Sequence, residues 1–188
     1  MNVHKNARLT PRGRERIVLQ VESGQTPWRR SVGTVTRMAN VPDINDVQPQ
    51  RGGKDCVIAA IATLVARSYD EVARGLGLPF SDGKWDVGDG VDASDAIYLL
   101  LSWGWIAAPL VSKECAKKHK LPENNRPTSD QIKALLIGRP AVVGYTDLQI
   151  GPHALAWDGS KAIDCSDVSY VDLENITIET ALILSPPR

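Results

Sequence analysis

The feature that most constrains this chain is an apolar segment at residues 55–66, which reads DCVIAAIATLVA. Because apolar side chains would point in nearly every direction around a helix, the segment predicts a helix buried in the centre of a domain. Ser68 and Glu71 follow with the spacing of a capping box, which predicts a second helix that Gly75 or Gly77 ends. The first helix must therefore stop near residue 67, and other elements must surround it.

The rest of the chain divides into helical and strand-like parts. Residues 92–104 predict a third helix, and Thr128 with Gln131 repeats the capping-box spacing ahead of a short helix ending at Gly138. Two polar stretches predict surface loops, at residues 80–91 and 112–127. Beyond residue 140 the pattern is typical of strands, at residues 141–145, 153–157, 161–165 and 176–184. Helices first and antiparallel strands second predict an α+β fold.

Charge separates the two ends of the chain. The formal net charge is zero, but residues 1–37 hold eight Lys or Arg against two Glu, a balance of +6, which leaves −6 for residues 38–188. We therefore predict a basic, flexible N-terminal extension over residues 1–46 and one folded domain over residues 47–188. Because binding to phosphates needs a concentrated basic surface, residues 1–37 are the only candidate contact for nucleic acid.

Within this extension, residues 4–11 (HKNARLTP) resemble the N-terminal leader of certain insertion-sequence transposases, and the similarity ends near Gln25. Thr10 and Pro11 predict the start of a short helix that Gly24 can end. No second helix of a DNA-reading pair follows in the sequence. A vestigial or flexible segment is the first interpretation, and a nucleic-acid arm is the alternative.

Hydropathy and cysteine content indicate the compartment. The sequence has no run of about 18 apolar residues and no secretory signal, so we expect a cytoplasmic protein without a membrane partner. The three cysteines, Cys56, Cys115 and Cys165, are too few for a disulfide framework, and their odd number leaves at least one thiol free.

Cys56 is the candidate nucleophile because it stands at the predicted start of the buried helix. Unpaired backbone N–H groups and the helix dipole favour a thiolate there. For a lone cysteine in such a run, packing as a small apolar residue is the competing interpretation. Gln50 stands six residues earlier, a spacing that lets its amide return over the helix start and donate to an oxyanion, and Gly52-Gly53 permits the tight path. Gln48 is interpreted as a surface residue.

His153 is the candidate base, since His4 lies in the extension and His119 in a lysine-rich predicted loop. A two-residue turn at Asp158-Gly159 would place His153 directly opposite Asp164, on the same face of a hairpin. A turn one residue later keeps Asp164 on that face but diagonal to the histidine, whereas a three-residue loop moves it to the other face. Asp164 is therefore the predicted third member, and Asp158 a turn residue.

Together, these residues resemble the papain-like cysteine peptidases, most closely the small branch that processes double-glycine leader peptides. The resemblance lies in Gln50-x5-Cys56 with Asp55 before the cysteine, the apolar helix, and the segment from His153 to Asp164. Two positions depart from the family: Val57 stands where glycine is frequent, and Cys165 where proline is frequent.

The resemblance implies a papain-like fold in which the Cys56 helix packs on a C-terminal antiparallel sheet. It also implies a cysteine peptidase that cleaves a peptide or isopeptide bond in a peptide or protein substrate. Cys56, His153 and Asp164 would be its triad and Gln50 its oxyanion donor, with no cofactor and no metal. An acyltransferase or deamidase using the same triad, and a non-catalytic papain-like binding module, remain open as alternatives.

Other residues have plainer expected roles. Cys115 and His119 are four residues apart, but no second ligand pair follows, so we expect solvent-exposed side chains without a metal. Cys165 alternates away from Asp164 and is expected in the core. The aspartate-rich residues 82–92 lack the order of a calcium-binding loop. They predict a mobile acidic loop near the cleft.

Overall fold

The computed structural model describes residues 46–187. Five helices occur in this part of the chain: α1 (Cys56–Leu64), α2 (Tyr69–Gly75), α3 (Ala93–Ser102), α4 (Lys113–Lys118) and α5 (Ser129–Leu136). The eight strands are β1 (Phe80–Ser81), β2 (Lys84–Trp85), β3 (Ile106–Val111), β4 (Ala141–Asp147), β5 (Gly151–Trp157), β6 (Ala162–Asp164), β7 (Ser169–Val171) and β8 (Thr180–Ser185). A short 3-10 turn spans Leu173–Asn175.

Six of these strands form one antiparallel sheet in the order β3-β8-β4-β5-β6-β7, and β1 and β2 form a separate hairpin. Helix α1 packs mainly against β5 and also against β4. The α+β class and the packing of the predicted central helix on a C-terminal antiparallel sheet are thus confirmed.

Both faces of the central strands are buried, which explains why β5 shows no polar alternation. Ala154 and Ala156 join the core that surrounds α1, α2 and α3. Leu155 and Trp157 alternate to the other face, where they pack with α5. Helix α1 itself is buried from Ile58 to Leu64, as its all-round apolar pattern predicts.

Local sequence signals place the surrounding helices. Ser68 and Glu71 form both bonds of the predicted capping box at the start of α2, and Thr128 and Gln131 do the same for α5. Each box satisfies two backbone N–H groups at a helix start, so each of the two starts can be predicted from two residues. Helix α3 spans residues 93–102, inside its predicted range.

The secondary structure differs from the predictions in at least five places. Residues 112–127 are not wholly a loop, because Ser112 caps helix α4, accepting a hydrogen bond from the Cys115 N–H. The edge strand β3 was missed, and the predicted strand at 161–165 is the shorter β6, which turns back into an unpredicted strand, β7. The last strand begins at Thr180 rather than at residue 176.

Candidate active site

Cys56 is the first residue of α1 and its thiol is half-buried. The helix begins there because Asp55, at the N-cap, has a non-helical backbone and its carbonyl accepts the first helical hydrogen bond, from Ala59. The Asp55 side chain does not cap the helix. The first N–H groups of α1 therefore lie beside the thiol without a side-chain partner, an arrangement that favours negative charge.

His153 lies near the start of β5, and only 6% of the residue is exposed. Its Nε2 is 2.9 Å from Asp164 Oδ1 and 3.0 Å from Asp164 Oδ2. The hydrogen bond to Asp164 is the largest of the causes that raise the pKa of His153 to about 10, and the interaction with Cys56 is the next. Because Asp164 occupies Nε2, the nitrogen left for Cys56 is Nδ1.

Asp164 is the last residue of β6 and is largely buried. Burial alone would raise its pKa, but hydrogen bonds from His153 and from the Ser166 backbone N–H (2.8 Å) lower it to about 2. The carboxylate is therefore ionised at neutral pH and holds the imidazole from one side. Cys56, His153 and Asp164 thus lie near one another, with His153 in direct contact with Asp164.

The register of this hairpin selects the later of the two turn positions that keep Asp164 on the face of His153. Ala156 pairs with Ile163 and Trp157 with Ala162, so the two-residue turn is Gly159-Ser160 and Asp164 is diagonal to His153. Asp158 sets this turn, because its Oδ1 accepts hydrogen bonds from the backbone N–H groups of Ser160 and Lys161, each at 2.7 Å. Asp158 is thus a turn residue, as predicted.

Gly159 is required in this turn for two reasons. Its φ is +102°, a conformation that favours glycine, and its carbonyl accepts a 2.7 Å hydrogen bond from the Gly138 N–H. A Cβ at this position would lie 3.0 Å from the backbone of Gly138. The turn that fixes the position of Asp164 is therefore held against the loop after α5.

Gln50 is held through both its backbone and its side chain. Its backbone N–H donates to the Cys165 carbonyl at 2.8 Å, and its Nε2 donates to the carbonyl of Gly52. Its Oε1 is buried and has no hydrogen-bond partner in the described part of the chain. An amide nitrogen carries two hydrogens, and Gly52 uses one of them.

Tyr145 is a neighbour of the site that sequence reasoning missed. It pairs with His153 across β4 and β5, and the two rings meet edge to face with centroids 5.8 Å apart. Burial, followed by the charge of Asp164, raises the pKa of the Tyr145 hydroxyl. The register of the β4–β5 hairpin determines which residue lies opposite His153, so a prediction of that register would have found Tyr145.

Two expectations about the remaining polar residues were wrong. Cys115 is buried, whereas a solvent-exposed side chain was expected, and its sulfur lies within 4.8 Å of potential ligand atoms of His119 and Glu179. Burial raises the pKa of this thiol, which disfavours its metal-binding form. Gln48 is half-buried rather than on the surface, since its backbone N–H donates to Thr63 Oγ1 and its Oε1 accepts from the Tyr69 N–H.

Cys165 is a core residue, as predicted. It is 1% exposed, and burial raises the pKa of its thiol to about 11. Among the three cysteines, Cys56 is thus the only one that is not buried.

The acidic loop lies beside the segment that precedes Cys56. Lys54 Nζ is 2.9 Å from Asp89 Oδ1, and the indole Nε1 of Trp85 donates to Asp70 Oδ1 at 2.7 Å. Asp70 also receives two hydrogen bonds from Arg51. The loop around residues 80–91 is therefore connected to both ends of the segment 51–54.

Comparisons with known proteins gave only distant likenesses. No protein-family model matches the chain, and no curated protein matches it. The peptidase domain of Streptococcus ComA, a bifunctional ABC transporter of a quorum-sensing pathway, is a similar solved structure. Its TM-score is 0.46 and its identity 14%, over 74% of this chain and 96% of that one.

A second similar structure is a double-glycine-motif protease from an AMS/PCAT transporter, solved with its leader peptide. Its TM-score is 0.44 and its identity 15%, over 74% of this chain and 89% of that one. None of these comparisons supports the transposase resemblance of residues 1–25. Residues 1–45, which include that segment and all but the last residue of the predicted extension 1–46, lie outside the described residues.

One further finding concerns the predicted absence of a membrane partner. Between residues 46 and 187, no helix is both long enough and apolar enough to cross a bilayer.

Proposed function

We propose that this chain is a papain-like cysteine peptidase that hydrolyses a peptide or isopeptide bond, with Cys56 as nucleophile, His153 as base and Asp164 as its orienting partner. The observation that carries the proposal is the arrangement around His153. One ring nitrogen contacts both oxygens of Asp164, and a half-buried cysteine at a helix N-terminus has the next-largest effect in raising the pKa of the ring.

The mechanism follows from these contacts. The raised pKa of His153 favours transfer of the Cys56 proton to the imidazole, giving a thiolate and an imidazolium stabilised by Asp164. The thiolate attacks the carbonyl carbon, and negative charge develops on its oxygen. Backbone N–H groups at the start of α1 and the second N–H of the Gln50 amide are the donors proposed for this oxyanion.

Collapse of the tetrahedral intermediate breaks the C–N bond. His153 gives its proton to the leaving amine, and the acyl group remains on Cys56 as a thioester. Water, activated by the now neutral imidazole, then hydrolyses the thioester and restores the thiol. Asp164 remains ionised throughout and keeps the imidazole oriented.

The test is a peptide library incubated with the protein in water enriched in oxygen-18. Hydrolysis predicts new C-termini that carry one heavy oxygen, and these products should be lost in Cys56→Ala. Cys115→Ser is the matched control, because that thiol is buried away from His153 and its variant should cleave normally.

Two outcomes would overturn the proposal. If an added amine such as glycinamide is joined to the new C-termini in place of water, the triad serves acyl transfer. If no product forms and peptides bind equally to wild type and Cys56→Ala, the protein is a binding module.

A further inference from the structure

The residue before the nucleophile, Asp55, uses its side chain in an unusual way for an N-cap aspartate. Such a residue ordinarily accepts a hydrogen bond from an N–H in the first turn of its own helix. Asp55 makes no such bond. Its Oδ2 instead accepts the backbone N–H of Arg51 at 2.9 Å and the hydroxyl of Tyr69 at 2.6 Å.

The hydrogen bond from the Arg51 N–H to Asp55 Oδ2 closes the loop that carries Gln50. Arg51 follows Gln50 directly, and the Gln50 amide in turn donates to Gly52, inside the same loop. On the far side, the Gln50 backbone N–H is held by the Cys165 carbonyl. The position of the Gln50 amide therefore depends on the Asp55 carboxylate through a single intervening residue.

The arrangement leaves an acceptor unsatisfied, which argues for a role other than stability. Asp55 is 2% exposed, and its Oδ1 is buried without a hydrogen-bond partner in residues 46–187. Buried polar atoms without partners are rare and concentrate where function requires them. Both bonds of the carboxylate converge on Oδ2, and the first N–H groups of α1 stay free beside Cys56.

Tyr69 fixes the carboxylate from the opposite side. Tyr69 is 2% exposed, and burial together with its hydrogen bond to Asp55 raises the pKa of the phenol, so it remains a donor at any working pH. The Arg51 guanidinium lies 4.4 Å from the centre of the Tyr69 ring and supplies a positive charge near the buried carboxylate. Asp70 holds this guanidinium with contacts of 2.7 and 3.2 Å.

We propose that Asp55 and Tyr69 are positioning residues for the oxyanion site: they fix the loop that carries Gln50 and keep the N-terminus of α1 uncapped. This inference rests on the proposed function. It separates two groups of residues, because the His153–Asp164 pair governs formation of the thiolate, whereas Asp55 and Tyr69 act on the oxyanion that the thiolate generates.

Two reagents distinguish these groups without knowledge of the natural substrate. Iodoacetamide is displaced by the thiolate at a saturated carbon, with loss of iodide, and forms no oxyanion. 4-Nitrophenyl acetate is attacked at its carbonyl: an oxyanion forms, the C–S bond is made, the C–O bond breaks, and 4-nitrophenolate leaves with the electron pair. The ratio of acylation rate to alkylation rate therefore reports on the oxyanion site alone.

For Gln50→Ala we expect this ratio to fall by about 100-fold, the usual effect of removing one oxyanion donor. For Asp55→Ala we expect a fall of about tenfold or more, since misplacing a catalytic group by about 1 Å has effects of up to 100-fold. Asp55→Asn retains an oxygen acceptor and should restore the ratio to within about threefold of wild type. Tyr69→Phe should lower it by several-fold, and Tyr98→Phe, an exposed tyrosine of α3, is the matched control.

The inference is overturned if the two rates fall in parallel in Asp55→Ala and Tyr69→Phe, because the residues would then be structural only. It is overturned as well if neither rate changes. It is also overturned if Asp55→Asn is as impaired as Asp55→Ala, since charge rather than position would then matter. Should Asp55→Ala fail to fold by circular dichroism, Tyr69→Phe decides. Failure of the proposed function gives a different result: wild type itself would form no acetyl-enzyme at Cys56 by mass spectrometry.

Discussion

Replacing Asp164 with asparagine should slow the alkylation of Cys56 at neutral pH while the domain stays folded. Both carboxylate oxygens contact His153 Nε2, at 2.9 and 3.0 Å, and this contact is the largest cause of the raised pKa of the histidine. Asparagine keeps the shape of the side chain and one oxygen acceptor but carries no charge. The imidazolium therefore loses its main stabilising partner.

The size of the effect follows from the protonation of the two groups. With a pKa of about 10, His153 is protonated at pH 7, and a positive charge beside a thiol favours its ionised form. If this support were lost completely, an ordinary thiol with a pKa of about 8.5 would be only about 3% ionised at pH 7, which limits the loss of rate to about 30-fold. Since Cys56 also contributes to the raised pKa of His153, we expect a loss of about 5- to 20-fold in the variant.

The assay is the rate of carbamidomethylation by iodoacetamide between pH 5 and pH 10, with the modified residue identified by mass spectrometry. Asp158→Asn is the matched control, because asparagine keeps the oxygen that accepts the hydrogen bonds of the turn and, between residues 46 and 187, the Asp158 carboxylate makes no hydrogen bond to His153. Wild type and Asp164→Asn should converge near pH 10, where any exposed thiol is ionised. Identical pH profiles for the two proteins, or equal slowing in Asp158→Asn, would refute the assignment of Asp164 to the site.

Four further outcomes are expected. In urea titrations, the loss of unfolding free energy in Asp164→Asn should be greatest between about pH 4 and pH 6.5. Ionised Asp164 stops stabilising the fold as the pH falls from 3.8 towards about 2, and protonated His153 stops stabilising it as the pH rises from 6.5 towards about 10. A loss that is the same at every pH would contradict this. Ile61→Ala, at a fully buried position of α1, should lower the free energy of unfolding by about 2–5 kcal/mol in the same assay, and a loss below about 1 kcal/mol would mean that α1 is not the centre of the core. Deleting residues 1–37 should leave the melting temperature and Cys56 alkylation unchanged, since their sequence offers no apolar face to the domain. Zinc should not raise the melting temperature, since burial raises the pKa of the Cys115 thiol; a zinc-dependent rise that Cys115→Ser abolishes would show a metal site.

The features predictable from sequence are those encoded by neighbouring residues. A capping box needs two side chains three residues apart, so the helices that begin after Ser68 and Thr128 could be predicted from local sequence alone. The pairing of His153 with Asp164 was predictable as well, because strand alternation keeps both on one face for either position of a two-residue turn. Their exact register was not, since the side chain of Asp158 selects the turn.

Features that depend on distant pairing escaped prediction. Strand β3 lies at the sheet edge, and its six apolar residues do not alternate and include Pro109, which argues against a strand in the sequence. Its pairing with β8, 69 to 79 residues later in sequence, is what makes it a strand. The buried state of Cys115 depends in the same way on where α4 packs, which the polar composition of residues 112–127 does not reveal.

One departure from the papain-like pattern, Cys165, matters less in three dimensions than in sequence. Proline is frequent in that family where this chain has Cys165, yet the contact that residue 165 makes with Gln50 uses its backbone carbonyl, which every amino acid supplies. The Cys165 thiol adds a second link, since its sulfur lies 3.7 Å from the hydroxyl of Thr63, in α1. Thr63 Oγ1 also accepts the N–H of Gln48, so one buried hydroxyl joins the segment that precedes Cys56, helix α1 and the end of β6. The three segments are thus joined to each other through the core by the side chain of Thr63.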